Sequence, residues 1–181
     1  MNNLAADQQL VKKCLSKNSK AQSQLYNKYR IRMYGICMRY ASCEAEAQDF
    51  LQEGFIKVFN NLHQYRGEGA LGKWIERVIV NRIISILRKK KMVLDDSVSL
   101  DQISVAVEEP IKSSQSKADQ LIQLVQQLPS GYRAVFNLYA LEGYSHSEIS
   151  TILNISESTS RSQYYRAKTT IQNLLKQSKS Q

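Results

Sequence analysis

Residues 128–175 read LPSGYRAVFNLYALEGYSHSEISTILNISESTSRSQYYRAKTTIQNLL. After Pro129, the run through Val135, Phe136 and Leu138 to Gly143 predicts one helix. Ser145 and Glu148 then have the spacing of a capping box, so a second helix starts there and runs to about Leu153. Asn154 suits a turn, and Ser156 is placed to cap a final helix. Two short helices around a tight turn, the second opening with hydroxyls and basic groups, present side chains to a DNA major groove as a helix-turn-helix does. On the final helix Tyr164, Ala167, Ile171 and Leu174 keep helical spacing and are expected in the core. At about 100° per residue, Ser158, Ser162, Tyr165, Arg166 and Thr169 fall on the opposite side, with Arg161 at its edge. Arginine donates to guanine edges or phosphate, hydroxyls reach phosphates and bases, and a ring contacts thymine methyls. The competing reading is a solvated helix face that happens to be basic.

Upstream, Leu121, Leu124, Val125 and Leu128 predict a short amphipathic helix that stops at Pro129. Residues 93–116 lose helical periodicity, carry Asp95, Asp96, Asp101, Glu108 and Glu109 against Lys112 alone, and close in Pro and Ser. They read as an acidic, flexible linker. The chain thus divides into helical modules at 1–92 and 117–181 joined by 93–116. Two prolines and seven glycines leave few breaks, which favours an all-α fold. The net charge of +9 suggests a polyanionic partner, nucleic acid before membrane.

The first module predicts helices at about 5–16, 20–40, 44–62 and 71–91. Leu25, Tyr29, Ile36 and Tyr40 mark the second; Ala47, Phe50, Leu51, Phe55, Val58 and Leu62 the third; Leu71, Trp74, Ile75, Val78 and Ile79 the fourth. On the fourth, Arg77, Asn81, Ile84 and Arg88 recur on one stripe, with Arg82 and the 88–91 cluster adding charge. Basic groups near Trp74 and Tyr65 suit a strand whose bases have left the duplex. Trp74 fits the core more readily than a stacking role, and the lysines also suit a solvated helix end. The third helix turns Asp49, Gln52 and Glu53 outward, which points to protein docking unless these residues are simply solvated.

No apolar run reaches the roughly 18–20 residues needed to cross a bilayer. The N-terminal MNNLAADQQLVKKCL lacks the order of a secretory signal, so a cytoplasmic location without stable membrane insertion is expected. Cys14, Cys37 and Cys43 lie in helical patterns and read as reduced, mostly structural thiols. They lack metal-ligand spacing. His63 and His146 are isolated, His146 reading as an exposed polar residue, and no phosphate cradle occurs. No catalytic residue, metal site or cofactor is expected.

Both modules resemble sigma-70 family RNA polymerase sigma factors of the extracytoplasmic-function (ECF) group. Region 2 of that family is matched by Ala21, Leu25-Tyr26 and Tyr29; by Ala47, Asp49, Gln52, Glu53, Phe55, Lys57 and Phe59; and by Trp74-Ile75, Asn81 and Arg88-Lys89. Region 4 is matched by Leu128-Pro129, Arg133, Val135-Phe136, Gly143, Ser145, Glu148-Ile149, Ile155-Ser156, Thr159, Ser162 and Arg166-Ala167. The resemblance implies a non-enzymatic initiation factor that binds core RNA polymerase, directs it to promoters and assists melting. It places Asp49, Gln52, Glu53 and Lys57 against the polymerase clamp helices, and Arg77, Asn81, Arg82, Arg88 and Lys89 on the −10 element. Ser158, Arg161, Ser162, Tyr165 and Arg166 then meet the −35 duplex, region 4 docks on the polymerase flap, and an anti-sigma partner clamped between the modules, as in relatives, is an expected partner. The acidic linker is expected to thread the channel later used by RNA.

Three departures bear on promoter sequence. Leu71 stands where an aromatic is usual, Ser158-Thr159-Ser160 replaces Gly-Thr-Val, and Tyr164-Tyr165 is bulkier than the usual pair. The rival readings are a two-domain helix-turn-helix regulator that binds duplex DNA unaided, and a nucleic-acid hydrolase. The latter wants a carboxylate cluster for metal, which Asp49 and Glu53 alone do not make.

Overall fold

In the computed structural model, residues 2–89 and 117–178 are described. The expected linker at 93–116, the boundary at 92, and Lys90 and Lys91 of the basic run lie outside the described residues. Among the described residues eight α-helices follow in order: α1 Asn2–Leu15, α2 Ser19–Tyr40, α3 Glu44–Asn61, α4 Leu71–Lys89, α5 Lys117–Gln126, α6 Ser130–Phe136, α7 His146–Leu153 and α8 Glu157–Ser178. A 3-10 turn, Leu62–Gln64, follows α3, and a wide π turn, Asn137–Leu141, continues α6. No strand occurs among the described residues, so the all-α expectation is met. The predicted helix positions agree within a few residues, and α8 ends at Ser178, three residues beyond the 128–175 stretch. Contacts divide the chain into two compact units, Met1–Cys37 with Glu44–Ile83, and Met38–Cys43 with Ile84–Gln181.

The first unit is built on apolar stripes. Leu25, Met33 and Ile36 on α2, Ala47, Phe50, Phe55 and Val58 on α3, and Leu71, Ile75 and Ile79 on α4 are all buried. Tyr26 meets Phe55 edge-on with ring centroids 4.7 Å apart, joining α2 to α3. Leu71, the departure from the usual aromatic, is fully buried. Two carboxylates lie inside this unit, and both have partners, as the cost of burying charge requires. Asp7 accepts from Lys28 Nζ at 2.6 Å and Tyr29 OH at 3.3 Å, tying α1 to α2. Glu76 accepts from Arg32 at 2.6 Å and Lys73 at 3.0 Å, tying α2 to α4. Burial, then the Asp7 charge, raises the Tyr29 hydroxyl pKa, while the hydrogen bond to Asp7 raises that of Lys28.

Gly54 sets the distance between α3 and α4. A Cβ built there would stand 2.8 Å from Ile79 Cγ1 and 3.1 Å from Cγ2. Only a residue without a side chain lets Ile79 seat against the backbone of α3.

In the second unit α5, α6 and α7 each pack on α8. Val125, Leu128, Tyr132, Ala167 and Ile171 form the core, with Phe136 against it. Arg133 is buried, and its Nη2 donates to the carbonyls of Gln126 and Leu128, each at 2.7 Å, closing the end of α5. Leu121 of α5 is exposed, unlike its predicted stripe-mates. Cys14 and Cys37 are buried, but Cys43 departs from expectation: it lies exposed in the α2–α3 turn, where no helix face offers it a core.

Gly54→Ala is expected to destabilise the chain by about 1–3 kcal/mol, the range for overpacking a filled core. A chemical-denaturation curve superimposable on the parent's would refute the close-approach account.

Candidate nucleic-acid interface

The helix-turn-helix forms as its capping residues dictate. Ser145 Oγ accepts from the Glu148 amide at 3.2 Å, and Glu148 Oε2 accepts from the Ser145 amide at 2.8 Å, completing the capping box. The Ser145 amide first, and then the Ser145 hydroxyl, which donates to Glu148 Oε2 at 2.7 Å, lower the Glu148 pKa. Asn154 adopts the left-handed conformation at φ 55°, which asparagine tolerates well, and ends α7. Ser156 Oγ accepts from the Thr159 amide at 2.9 Å and starts α8.

His146 contradicts its expected exposure. It is only 8% exposed because rings and α8 enclose it. Tyr139 stacks on it at a centroid distance of 4.2 Å, Tyr164 lies at 5.9 Å, and its Nδ1 is 2.9 Å from Ser160 Oγ. Ser160 itself is fully buried. The departures in the family pattern therefore complement one another: Ser160 meets the imidazole, and Tyr164 fills the space among Phe136, Tyr139 and His146. This contact fixes α8 against α7. Spacing alone missed it, because a polar pair 14 residues apart leaves no periodic mark.

On α8 the predicted core residues Ala167, Ile171 and Leu174 are buried, with Gln163 and Thr170 joining them. Tyr164 is half-buried. Ser158, Arg161, Ser162, Tyr165 and Arg166 are all exposed, Tyr165 at 71%. Thr169 is partly covered and donates to the Tyr165 carbonyl at 3.0 Å. Arg161 reaches back to Glu157 at 2.5 Å, an exposed i,i+4 pair worth about 0.3–0.5 kcal/mol that a phosphate readily displaces. Arg166 Nη1 donates to Tyr132 OH at 3.2 Å.

The α4 residues Arg77, Asn81, Arg88 and Lys89 are exposed. Ile84 is not: an apolar side chain gains more from burial than a polar stripe gains from it, and it is 3% exposed. Trp74 is half-buried and lies 5.7 Å from the Tyr65 ring, a packing partner close to the base of the stripe. Arg82 does not stand free beside Asn81. Its Nε and Nη2 donate to Glu53 Oε2 at 3.2 and 2.8 Å. On α3, Asp49, Gln52 and Lys57 are exposed, and Ile56 among them is 51% exposed. Ile56 is a surface residue that the apolar pattern does not mark, although its place one turn after Gln52 sets it on the same face.

Among the described residues no group of acidic, His or Cys side chains has metal-binding geometry, and no helix is long and apolar enough to cross a membrane.

Two family models match, "Sigma-70 region 2" over residues 25–92 and "Sigma-70, region 4" over residues 118–171. They meet the two places where α4 and α8 expose their basic faces, and the chain belongs to the sigma-70 family of RNA polymerase sigma factors. It is similar to the RNA polymerase sigma-H factor of Pseudomonas aeruginosa, 28% identical over 180 residues, covering 93% of each chain. It is also similar to the ECF RNA polymerase sigma-E factor of Haemophilus influenzae, 26% identical over 178 residues, covering 92% of this chain and 94% of that one. Within the family the chain is of the extracytoplasmic-function type. In fold it is similar to the sigma factor RpoE of Bartonella quintana, solved with the anti-sigma factor NepR: TM-score 0.51, 18% identity, 85% of this chain and 96% of that chain.

The pKa of His146 is lowered from its ordinary value of 6.5 by burial first and then by the nearby Arg161 charge, with Glu157 opposing. A depressed folded-state pKa means the unfolded chain binds more protons as pH falls through about 6.5, so this stabilisation is present above that pH and lost below it. The chain's Tm is expected to fall between pH 7.5 and 5.5, and His146→Gln to flatten that slope. Parallel melting curves for both proteins across this range would show that His146 carries none of the dependence.

Proposed function

We propose that this chain is a dissociable transcription initiation factor, which docks on core RNA polymerase through α3 and brings it to promoters through α4 and α8. The sigma-70 family is one of non-enzymatic initiation factors. The observation that carries the residue assignment is the division of charge. Carboxylate-bearing Asp49 and Glu53, with Gln52 and Ile56, make one surface of α3, while exposed Arg77, Asn81, Arg88 and Lys89 line α4. A polyanion is drawn to the second surface and repelled by the carboxylates of the first.

Asp49, Gln52, Glu53 and Lys57 are assigned to the clamp helices of the polymerase. On α4 the arginines neutralise phosphates, while Asn81 has an amide that pairs with a base edge once the −10 strands part. An extruded base costs a few kcal/mol unless something receives it, so a surface that holds unstacked bases lowers the cost of opening. On α8 Ser158, Arg161, Ser162, Tyr165 and Arg166 are assigned to the −35 duplex, the hydroxyls and guanidinia to phosphates and the arginines to guanine edges as well. The second unit is also assigned to the polymerase flap. A protein with these partners works in the cytoplasm. The Bartonella sigma factor was captured with an anti-sigma factor, and a restraining partner of that kind is part of this reading.

Purified chain, core polymerase and a randomised promoter library test the assignment. Selected transcripts are expected only when both proteins are present, from sites sharing −10 and −35 sequences. Specific binding of the chain alone to duplex DNA, without transcription, would recast it as a two-domain regulator. Asp49→Lys is expected to weaken core binding at least several-fold; unchanged affinity removes the α3 assignment. Arg166→Ala is expected to cost about 1–3 kcal/mol of discrimination at the −35 element, with Tyr132→Phe separating its tie to α6 from its contact with DNA. An equal loss on every promoter would make Arg166 a phosphate contact only.

A further inference from the structure

Glu53 and Arg82 belong to two different surfaces, yet they hold each other. Both Arg82 donors converge on a single oxygen, Glu53 Oε2, at 3.2 and 2.8 Å. Glu53 stands on α3 among Asp49, Gln52 and Ile56, whereas Arg82 follows exposed Asn81 on α4. The close approach of α3 and α4 lies immediately beside them: Gly54 follows Glu53 and meets Ile79, one turn before Arg82. The pair is fixed in place by the backbone but not sequestered, since 29% of the Arg82 side chain and 46% of the Glu53 side chain stay exposed. An ion pair so hydrated is weak. A charged group arriving from either side displaces its counterpart, whereas a buried pair would resist.

We propose that the Glu53–Arg82 pair couples polymerase docking to DNA capture within this unit. A cationic group of the polymerase seated on α3 engages Glu53 and releases Arg82 to a DNA phosphate beside Asn81. The inference rests on the assignment of α3 to polymerase and α4 to the separated −10 strand. In the free chain Glu53 neutralises Arg82, so α4 offers single-stranded DNA a weaker positive field. In the polymerase complex the field is restored where the strand must be gripped. The coupling is reciprocal, because DNA that takes Arg82 leaves Glu53 free for the polymerase. Arg82 thus becomes a conditional DNA contact and Glu53 the residue that sets the condition.

A double-mutant cycle on the full-length chain reads this coupling, with labelled single-stranded DNA of mixed sequence as the probe. The proteins are the parent, Glu53→Gln, Arg82→Gln and the combined variant, each without and with saturating core RNA polymerase. In the free chain Glu53→Gln is expected to tighten DNA binding about two- to five-fold, the size of an exposed pair. The gain is smaller on the Arg82→Gln background, because loss of a negative charge acts everywhere but release of Arg82 requires Arg82. With core polymerase bound, the parent and Glu53→Gln are expected to bind DNA about equally. The same gain with and without Arg82 overturns the coupling, as does a Glu53→Gln advantage that persists undiminished in the polymerase complex. A chain that binds DNA but never polymerase fails the docking assignment and the coupling together. Binding of both partners with no interaction between the two substitutions fails the coupling alone.

Discussion

The near-contact of α3 and α4 at Gly54 governs the first unit more than any single charge does. With no Cβ at 54, Ile79 rests against the α3 backbone. Apolar residues on both sides, Phe50, Phe55 and Val58 facing Ile75 and Ile79, then bury completely or nearly so. Once two helices lie this close, their outer side chains have little choice of neighbour. Glu53 of α3 and Arg82 of α4 come to adjoin in this way and form an ion pair at 2.8 Å. The surfaces proposed for polymerase and for DNA thus lie side by side on one packed support, an arrangement that suits a small helical body with two macromolecular partners. Rigid placement matters because positioning a flexible group costs side-chain entropy that a weak surface contact does not recover.

The second unit solves a different problem, the presentation of one helix. α8 is long, and its inner face carries the polar residues Ser160, Gln163 and Thr170. Such a face is tolerated only where partners are supplied. His146 supplies one to Ser160, and the capping box that starts α7 fixes the position of His146. The tyrosines at 139 and 164 close the site around the imidazole. The outer face of α8 is left to hydroxyls, arginines and an exposed tyrosine ring, groups that exchange water for phosphate or base contacts readily.

The helices were legible because their apolar residues repeat at helical spacing and their ends carry explicit chemistry: Pro129, the Ser145–Glu148 box, Asn154 and Ser156 each mark the end they form. The outward residues of α8 followed from the same periodicity. What stayed hidden depends on contacts between residues distant in sequence. Glu53 and Arg82 are 29 residues apart, and nothing in either helix alone announces that they meet. His146 reads as a surface residue because the first turn of a capped helix is usually wet; its burial comes from the π turn that carries Tyr139 and from a serine on another helix. Ile84 lay on a polar stripe by rotation and is buried all the same, since periodicity assigns an angle to a side chain but not its neighbours.

Site-specific photo-crosslinking tests the central claim most directly, with one probe at Gln52 on α3 and another at Asn81 on α4, in a complex of this chain with core polymerase and melted promoter DNA. The account predicts that the probe at 52 labels a large polymerase subunit and not DNA. The probe at 81 labels the separated −10 strand and not polymerase. Labelling of DNA from position 52, or of polymerase from position 81, would contradict the division of the unit into a docking surface and a strand-capturing surface.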